Sequence, residues 1–313
     1  MNLPLNRLSS IASKWGGMIS GYAAIEEFSK ATAVMVDADD LFPKGTVELN
    51  NIKTFGTPHV DEAILEAAAL VNAVGGPLGD VFEQVLKAKK NLIPKIEKIA
   101  YEDGLGVSGW SRGKRVLLGS RELLANHGVP LPPRDVETRY LQAGKQVTYL
   151  ATGGVAAAMF VLTYHADTRR AAELLRMEHN GIAVMIRTCD HNITPGLIAA
   201  CFEVDGRMIR ILPSSLSGIC EKAMDTSTPR SPAVMLTKGR PMTMMRLLAA
   251  SVRQKSNITI SVLLQIIAVV LGFVLVAFMT CYSGLYQMRT LSLLLYEVFW
   301  AAVIAIIPLI RKP

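Results

Sequence analysis

Apolar and polar positions follow one another along this chain in two regimes. The first 250 residues carry short apolar runs separated by polar loops. Val34–Asp37 is one such run, three apolar residues and then an aspartate. It reads as a buried strand that delivers one carboxylate to the end of a sheet. Ile182–Ile186 repeats the pattern and delivers Thr188-Cys189-Asp190. Between them, Val47, Leu49 and Ile52 mark a strand, and Val60–Asn72 and Asp80–Lys90 read as helices. A hairpin is predicted to turn at Arg112-Gly113, and a strand pair over Val147–Ala151 and Val155–Leu162. Helices follow at Ser120–His127, Asp167–Asn180, Pro195–Cys201 and Ser214–Met224, with strands at Met208–Leu212 and Ala233–Leu236. Strands alternating with helices predict a parallel α/β sheet. Residues 46–165 are predicted to form an inserted α+β domain within it, residues 34–45 and 166–250 the α/β domain itself, and residues 1–33 a lead-in.

The last regime is different. Ile258–Met279 has no charge, and Leu291–Ile310 has only Glu297 and Pro308 to interrupt it. Each is close to the ~20 apolar residues that cross a bilayer. Because each run is apolar on every face, a membrane hairpin over residues 251–313 is preferred to two buried core helices. Arg246, Arg253 and Lys255 precede the first span, Arg311 and Lys312 follow the second, and Arg289 stands alone between them. The positive-inside rule places both ends and the large N-terminal part in the cytoplasm. Glu297 is an intramembrane acid about 10 Å deep by helical rise, read either as functional or as snorkelling or protonated.

The 313 residues carry a net charge of +7, and mean hydropathy is +0.32. The cations read as scattered, apart from Lys87, Lys89 and Lys90. No nucleic-acid motif accompanies them, so the expected partner is anionic lipid and nucleic acid is excluded. Cys189, Cys201, Cys220 and Cys281 form no C-x-x-C pair. Neither they nor the five histidines have ligand spacing, so no metal site is expected from them. Met1–Ser20 lacks the apolar core of a signal peptide.

Two constellations carry candidate chemistry. Asp37 at a strand end suits a nucleophile toward phosphorus, and Asp39 two residues on could move protons. Gly104-Leu105-Gly106-Val107-Ser108-Gly109 matches G-x-G-x-x-G, but a hairpin follows where a dinucleotide fold needs a helix. Gly104 and Gly106 are candidates for nucleotide contact or for shaping the hairpin. Thr188 and Asp190 are candidates to hold a phosphate or to cap a helix.

The order of these signals resembles the catalytic part of P-type ATPases, closest to the heavy-metal-transporting branch. Asp37 stands where that family's phosphorylated aspartate stands in D-K-T-G-T-L-T. Residues 104–124 resemble its nucleotide-binding domain. Asp167-Thr168-Arg169-Arg170 resembles its D-x-x-R, and Thr188-Cys189-Asp190 its T-G-D. Ile211-Leu212-Pro213 resembles the loop before its phosphate-binding lysine. The resemblance implies a haloacid-dehalogenase-like α/β domain with an inserted nucleotide-binding-like domain and a transmembrane hairpin. It implies ATP and Mg²⁺ as ligands, and a larger pump or further membrane-spanning subunits as partners.

The departures are as specific. Asp37-Ala38-Asp39-Asp40-Leu41 lacks the family's lysine and both threonines. Gly75-Gly76-Pro77-Leu78 stands where a histidine-proline motif is expected, and Leu216 about where the lysine belongs. No G-D-G-x-x-N-D supplies Mg²⁺ ligands; Leu236-Thr237-Lys238-Gly239-Arg240-Pro241 is the best-placed segment. The family's upstream membrane helices and actuator domain have no counterpart here. The expectation is therefore a catalytically degenerate or truncated relative that still binds nucleotide. Two alternatives stay open: an active cation-transporting ATPase fragment or subunit phosphorylated on Asp37, and a haloacid-dehalogenase-like phosphatase using Asp37 and Asp39.

Overall fold

The computed structural model describes residues 3–56, 59–86, 90–225, 233–281 and 290–310. Lys87, Lys89, Arg289, Arg311 and Lys312, and most of the segment joining the two apolar helices, lie outside the described residues. Two units make up the chain, residues 1–31 with 229–313, and residues 32–228.

In chain order, the first unit opens with α1 (Leu3–Lys14), β1 (Met18–Ile19) and α2 (Tyr22–Phe28). The second unit begins with β2 (Ala33–Asp37), α3 (Ala38–Leu41), β3 (Val47–Thr54), α4 (Val60–Val74) and α5 (Leu78–Leu86). It continues through β4 (Ile96–Glu102), β5 (Gly106–Ser111), β6 (Lys114–Gly119), α6 (Arg121–Asn126) and α7 (Asp135–Gln142). Then come β7 (Gln146–Thr152), β8 (Val155–Tyr164), α8 (Thr168–His179) and β9 (Ala183–Arg187). It closes with α9 (Pro195–Phe202), β10 (Ile209–Ile211) and α10 (Ser214–Asp225). The chain then returns to the first unit with β11 (Met235–Leu236), α11 (Pro241–Cys281) and α12 (Thr290–Ile310).

The expected α/β architecture is present. Strands β10-β9-β2 form a parallel sheet, and β3-β8-β7-β6-β5-β4 a separate antiparallel one inserted after α3. Val34, Val36, Val184, Ile186 and Ile209 are buried in the parallel sheet. Leu174 and Met177 of α8 and Ile198 and Phe202 of α9 are buried with them. This is the apolar run on each strand that a two-sided sheet requires. Asp167 caps α8, its carboxylate accepting the Arg169 amide at 2.8 Å, and Thr194 caps α9 through the Leu197 amide at 3.1 Å.

The antiparallel sheet is buried on both faces. With the period of two that strands impose, Leu117, Tyr149, Met159 and Val161 face Leu123 and Leu124 of α6. Phe160, on the opposite face, meets Phe82 of α5 edge-on with centroids 5.1 Å apart. The sheet's tight spot is Gly106. A β-carbon there would stand 2.4 Å from the Leu118 carbonyl oxygen and 2.6 Å from the Gly119 Cα, at φ +141°. Gly104, in the β4–β5 turn at φ +68°, has open space around it. Gly106→Ala is therefore expected to cost about 2–4 kcal/mol, and Gly104→Ala about 1 kcal/mol, as read by thermal melting of the two variants.

The last expected strand, Ala233–Leu236, shortens to β11. It pairs antiparallel with β1 rather than joining the parallel sheet: Met18 faces Leu236 and Ile19 faces Met235. α11 is one continuous helix of 41 residues, so the first apolar run is prolonged upstream by a helical segment that begins at Pro241. Its first part is buried: Ala250 packs with Leu8 of α1 and Ile25 of α2, with Leu5, Trp15 and Ile19 around them. Its apolar part is exposed, as at Val269 and Phe273. Among the described residues α11 is long and apolar enough to cross a membrane, and the apolar part of α12 spans the shorter Thr290–Ile306. Tyr296 of α12 donates its hydroxyl to the Ala268 carbonyl of α11.

Candidate functional site

β2 carries Asp37 to the carboxyl end of the parallel sheet, where open α/β sheets place ligands. Its direct neighbour in register on β9 is Arg187. The Arg187 guanidinium grips the Asp37 carboxylate with both prongs, Nε donating to Oδ1 at 2.6 Å and the terminal nitrogen to Oδ2 at 3.0 Å. Such a fork is the strong form of an ion pair, and arginine does not release its proton to escape it. The pair is about half exposed, with side chains 48% and 39% accessible. The sequence reading ended this strand at Ile186 and did not single out Arg187. The available signal was a basic residue closing the second buried strand, beside an acid closing the first.

Asp39 and Asp40 sit in the single turn of α3. The Asp40 carboxylate accepts the Asp37 amide at 3.2 Å, and Arg170 donates its Nε to the Asp40 carbonyl at 2.5 Å. Arg170 also pairs with Asp167, so the Asp167–Arg170 motif ties α8 to the loop after Asp37. Burial raises the Asp39 carboxyl above its ordinary range, and the charges of Asp37, Asp80 and Asp40 add to the rise. Asp40 is raised too, first by burial, against the lowering effect of its bond to the Asp37 amide.

Thr188 and Asp190 do not face Asp37 as a ligand pair. The Thr188 hydroxyl accepts the Asp190 amide at 3.1 Å, a local turn bond. The Asp190 side chain is only 3% accessible and accepts from Tyr164 at the end of β8 and from the Asn192 amide at 3.0 Å. Asn192 in turn donates to the Thr148 hydroxyl of β7 at 2.8 Å. His191 Nε2 lies 3.2 Å from the Val147 carbonyl, and burial holds its imidazole below the usual histidine range. The Tyr164 phenol is pushed well up, by burial first and then by the Asp190 charge. The loop after β9 is thus a buried polar bridge from the parallel sheet to the inserted sheet.

A second bridge involves the glycine loop. Asp103, beside Gly104, accepts the Ser214 amide at the start of α10 at 2.8 Å. The segment where the resemblance places a phosphate-binding lysine is therefore met by a carboxylate of the inserted domain. Between the bridges lies a cavity of about 20 Å³, lined in part by Gly75-Gly76-Pro77, Val107, Leu118 and Cys189-Asp190-His191. That is room for about one water molecule, not for a nucleotide base.

The fit of the implied ligands follows. Among the described residues, no group of three or more His, Cys, Asp or Glu side chains could hold a metal ion. Asp39, Asp40 and Asp80 add negative charge near Asp37, but Arg187 holds both Asp37 oxygens and the described carboxylates do not converge as a ligand set, so they do not fit Mg²⁺. The closed cavity has no room for a nucleotide, so any nucleotide contact falls on the open turn at Gly104.

No family model matches the chain. It is 25% identical over 210 residues to a copper-transporting P-type ATPase of Rhizobium leguminosarum bv. viciae, covering 66% of this chain and 25% of that protein. It is 26% identical over 207 residues to a copper-exporting P-type ATPase of Bacillus subtilis (strain 168), covering 66% and 26%. A solved zinc-transporting PIB-type ATPase in the E2.Pi state aligns with 99% of this chain and 54% of its own, at 14% identity and a TM-score of 0.45. At that score the fold rests on the chain's own strands and helices rather than on the likeness. The chain spans about a quarter of the length of the curated relatives it matches. Over about two thirds of its residues, the chain is a relative of the heavy-metal-transporting P-type ATPases.

Proposed function

We propose that this chain is a catalytically silent, membrane-anchored relative of those ATPases, acting as a regulator rather than a pump. The observation that carries the reading is the fork of Arg187 on Asp37. An attacking carboxylate must turn an oxygen toward phosphorus, and the fork orients both Asp37 oxygens toward Arg187 and neutralises their charge. In-line phosphoryl transfer also draws its main charge stabilisation from a cation that bridges phosphate oxygens, a contribution of several kcal/mol. The loss of the family's aspartates and lysine removes the groups that would supply it.

The anchor is α11 with α12, read as two spans with both ends and the 32–228 unit in the cytoplasm. The exposed apolar surface of both helices supports this, as does the charge bias around them. Transported ions and partner subunits of the full-length relatives have no residues assigned to them in this chain.

Nucleotide is the ligand by which such a regulator would respond. It would meet the chain at the turn holding Gly104, which has open space around it, rather than at Gly106, which is packed against Leu118 and Gly119. Calorimetry of the purified full chain with ATP tests this: weak binding, equal with and without Mg²⁺, is expected. Binding tightened tenfold or more by Mg²⁺ would contradict the silent-site reading. One observation favours a second reading: Asp39, two residues from Asp37 and with its carboxyl raised above the ordinary range by desolvation and the neighbouring acids, is placed to donate a proton beside Asp37. Hydrolysis of small phosphomonoesters that disappears in Asp39→Asn would establish that phosphatase in place of the regulator.

A further inference from the structure

The basic residues are spread along the chain, but the net positive charge belongs to one unit. Residues 1–31 and 229–313 hold 12 lysines and arginines against three acids, a net +9. Residues 32–228 hold 21 against 23, a net −2, and the two together account for the whole +7. The unit that carries the membrane helices is therefore strongly basic, while the larger unit is slightly acidic.

The structure places part of this charge close to the start of the apolar run. Counted at 1.5 Å per residue from Ile258, Lys255 lies about 5 Å and Arg253 about 8 Å along the axis of α11, within a Debye length at physiological salt. Arg253 is exposed and Lys255 half-buried. Neither has an acidic residue on its own helix: α11 contains no aspartate or glutamate.

The elements packed against this segment are also poor in acid. α1 has none, and α2 has Glu26 and Glu27, of which Glu27 is already paired with Lys30 at 2.8 Å. α1 runs away from the apolar end. Leu8 packs at the level of Ala250, whereas Trp15 stacks on Arg246, one turn further from Ile258, at 5.4 Å. The N-terminal end of α1, with Arg7 in its sequence, is therefore the end nearer the apolar run. Lys14, Lys238 and Arg240 are exposed further out.

We propose that the segment 253–255 of α11 forms a docking surface for anionic phospholipid headgroups. The proposal rests on the membrane-anchor reading above and deepens it. A cation close to an anionic bilayer surface gains enough attraction for roughly a fivefold preference. Arg253 and Lys255 together should give a preference on the order of 25-fold for phosphatidylglycerol over phosphatidylcholine.

The test uses the full chain in detergent, titrated with each lipid and read by native mass spectrometry. The expected result is that preference, weakened at 0.5 M salt and largely lost in the Arg253→Gln/Lys255→Gln double variant. The double variant should keep the wild-type circular dichroism spectrum, because the two cations do not build the helix. Equal binding of both lipids by the wild type would overturn the proposal, as would a preference unchanged in the double variant. Resistance of the vesicle-reconstituted chain to alkaline carbonate reports the anchor separately. A chain that is retained yet shows no preference overturns the headgroup surface alone. A chain that is released overturns both.

Discussion

Asp190→Ala is expected to cost about 3 kcal/mol and to lower the melting temperature of the 32–228 unit by about 6–12 °C. The reason is what the substitution strands. The Asp190 carboxylate accepts from the Tyr164 hydroxyl and the Asn192 amide, both in the buried bridge between the two sheets. Without it, the phenol and the amide keep their desolvation cost and lose their partner, and such orphaned groups cost about 1–3 kcal/mol each. The same truncation at Asp37 should cost less than about 1 kcal/mol, because that ion pair is half exposed and water takes over. Circular dichroism melts of the two variants check the contrast. Equal losses would mean that the bridge does not hold the sheets together. The ranking is unusual for a motif that resembles T-G-D, since the acid read as chemical is the one that matters to folding.

Tyr164→Phe separates the bridge from the cavity it closes. It removes one donor to Asp190 while keeping the ring against Phe42, whose centroid lies 5.2 Å away. Its cost should be the smaller, about 1 kcal/mol, because Asp190 keeps the Asn192 amide.

Much of the fold was legible because the buried strands announce themselves. Val34–Asp37 and Ile182–Ile186 are uninterrupted apolar runs, and a parallel sheet needs such runs. The helix start at Asp167 and the turn at Arg112-Gly113 are local chemistry and were read where they stand, whereas the cap that Ser120 provides was not. β4 was not read, because its burial is partial along Ile96–Glu102 and Glu97-Lys98 breaks the alternation. α7 was missed because its core-facing stripe is only Val136 and Tyr140, both partly buried, in a helix of eight residues with none fully buried. The pairing of β11 with β1 joins residues more than 200 positions apart, which no local pattern encodes.

The site was legible only on one side. Asp37, Asp39 and the missing lysine and aspartates are sequence facts. What Asp37 touches is a matter of register. Arg187 reaches it because β2 and β9 are parallel neighbours with Asp37 opposite Arg187, and neither strand alone reveals that. Gly106 could be read either as a nucleotide contact or as a hairpin glycine. The backbone of Leu118 and Gly119 gives it a steric requirement of its own. Asp190 looked like a phosphate or cap residue because its partners, Tyr164 and Asn192, are brought to it by the packing of two separate sheets.

The second large expectation concerns Arg187. Arg187→Leu frees both Asp37 oxygens and removes a cation from the strand end. If the arginine were the only obstacle, the variant would gain phosphoryl acceptance. The account expects none, because among the described residues no group could hold the cation that would bridge a transferring phosphoryl. The most direct measurement is the covalent one. The purified full chain, and Arg187→Leu beside it, are incubated with Mg-ATP labelled on the γ-phosphate, quenched in acid and treated with hydroxylamine. The account predicts no acid-stable, hydroxylamine-sensitive label above the level of Asp37→Asn. Clear labelling of the wild-type chain that disappears in Asp37→Asn would contradict it and make Asp37 a working phosphoryl acceptor.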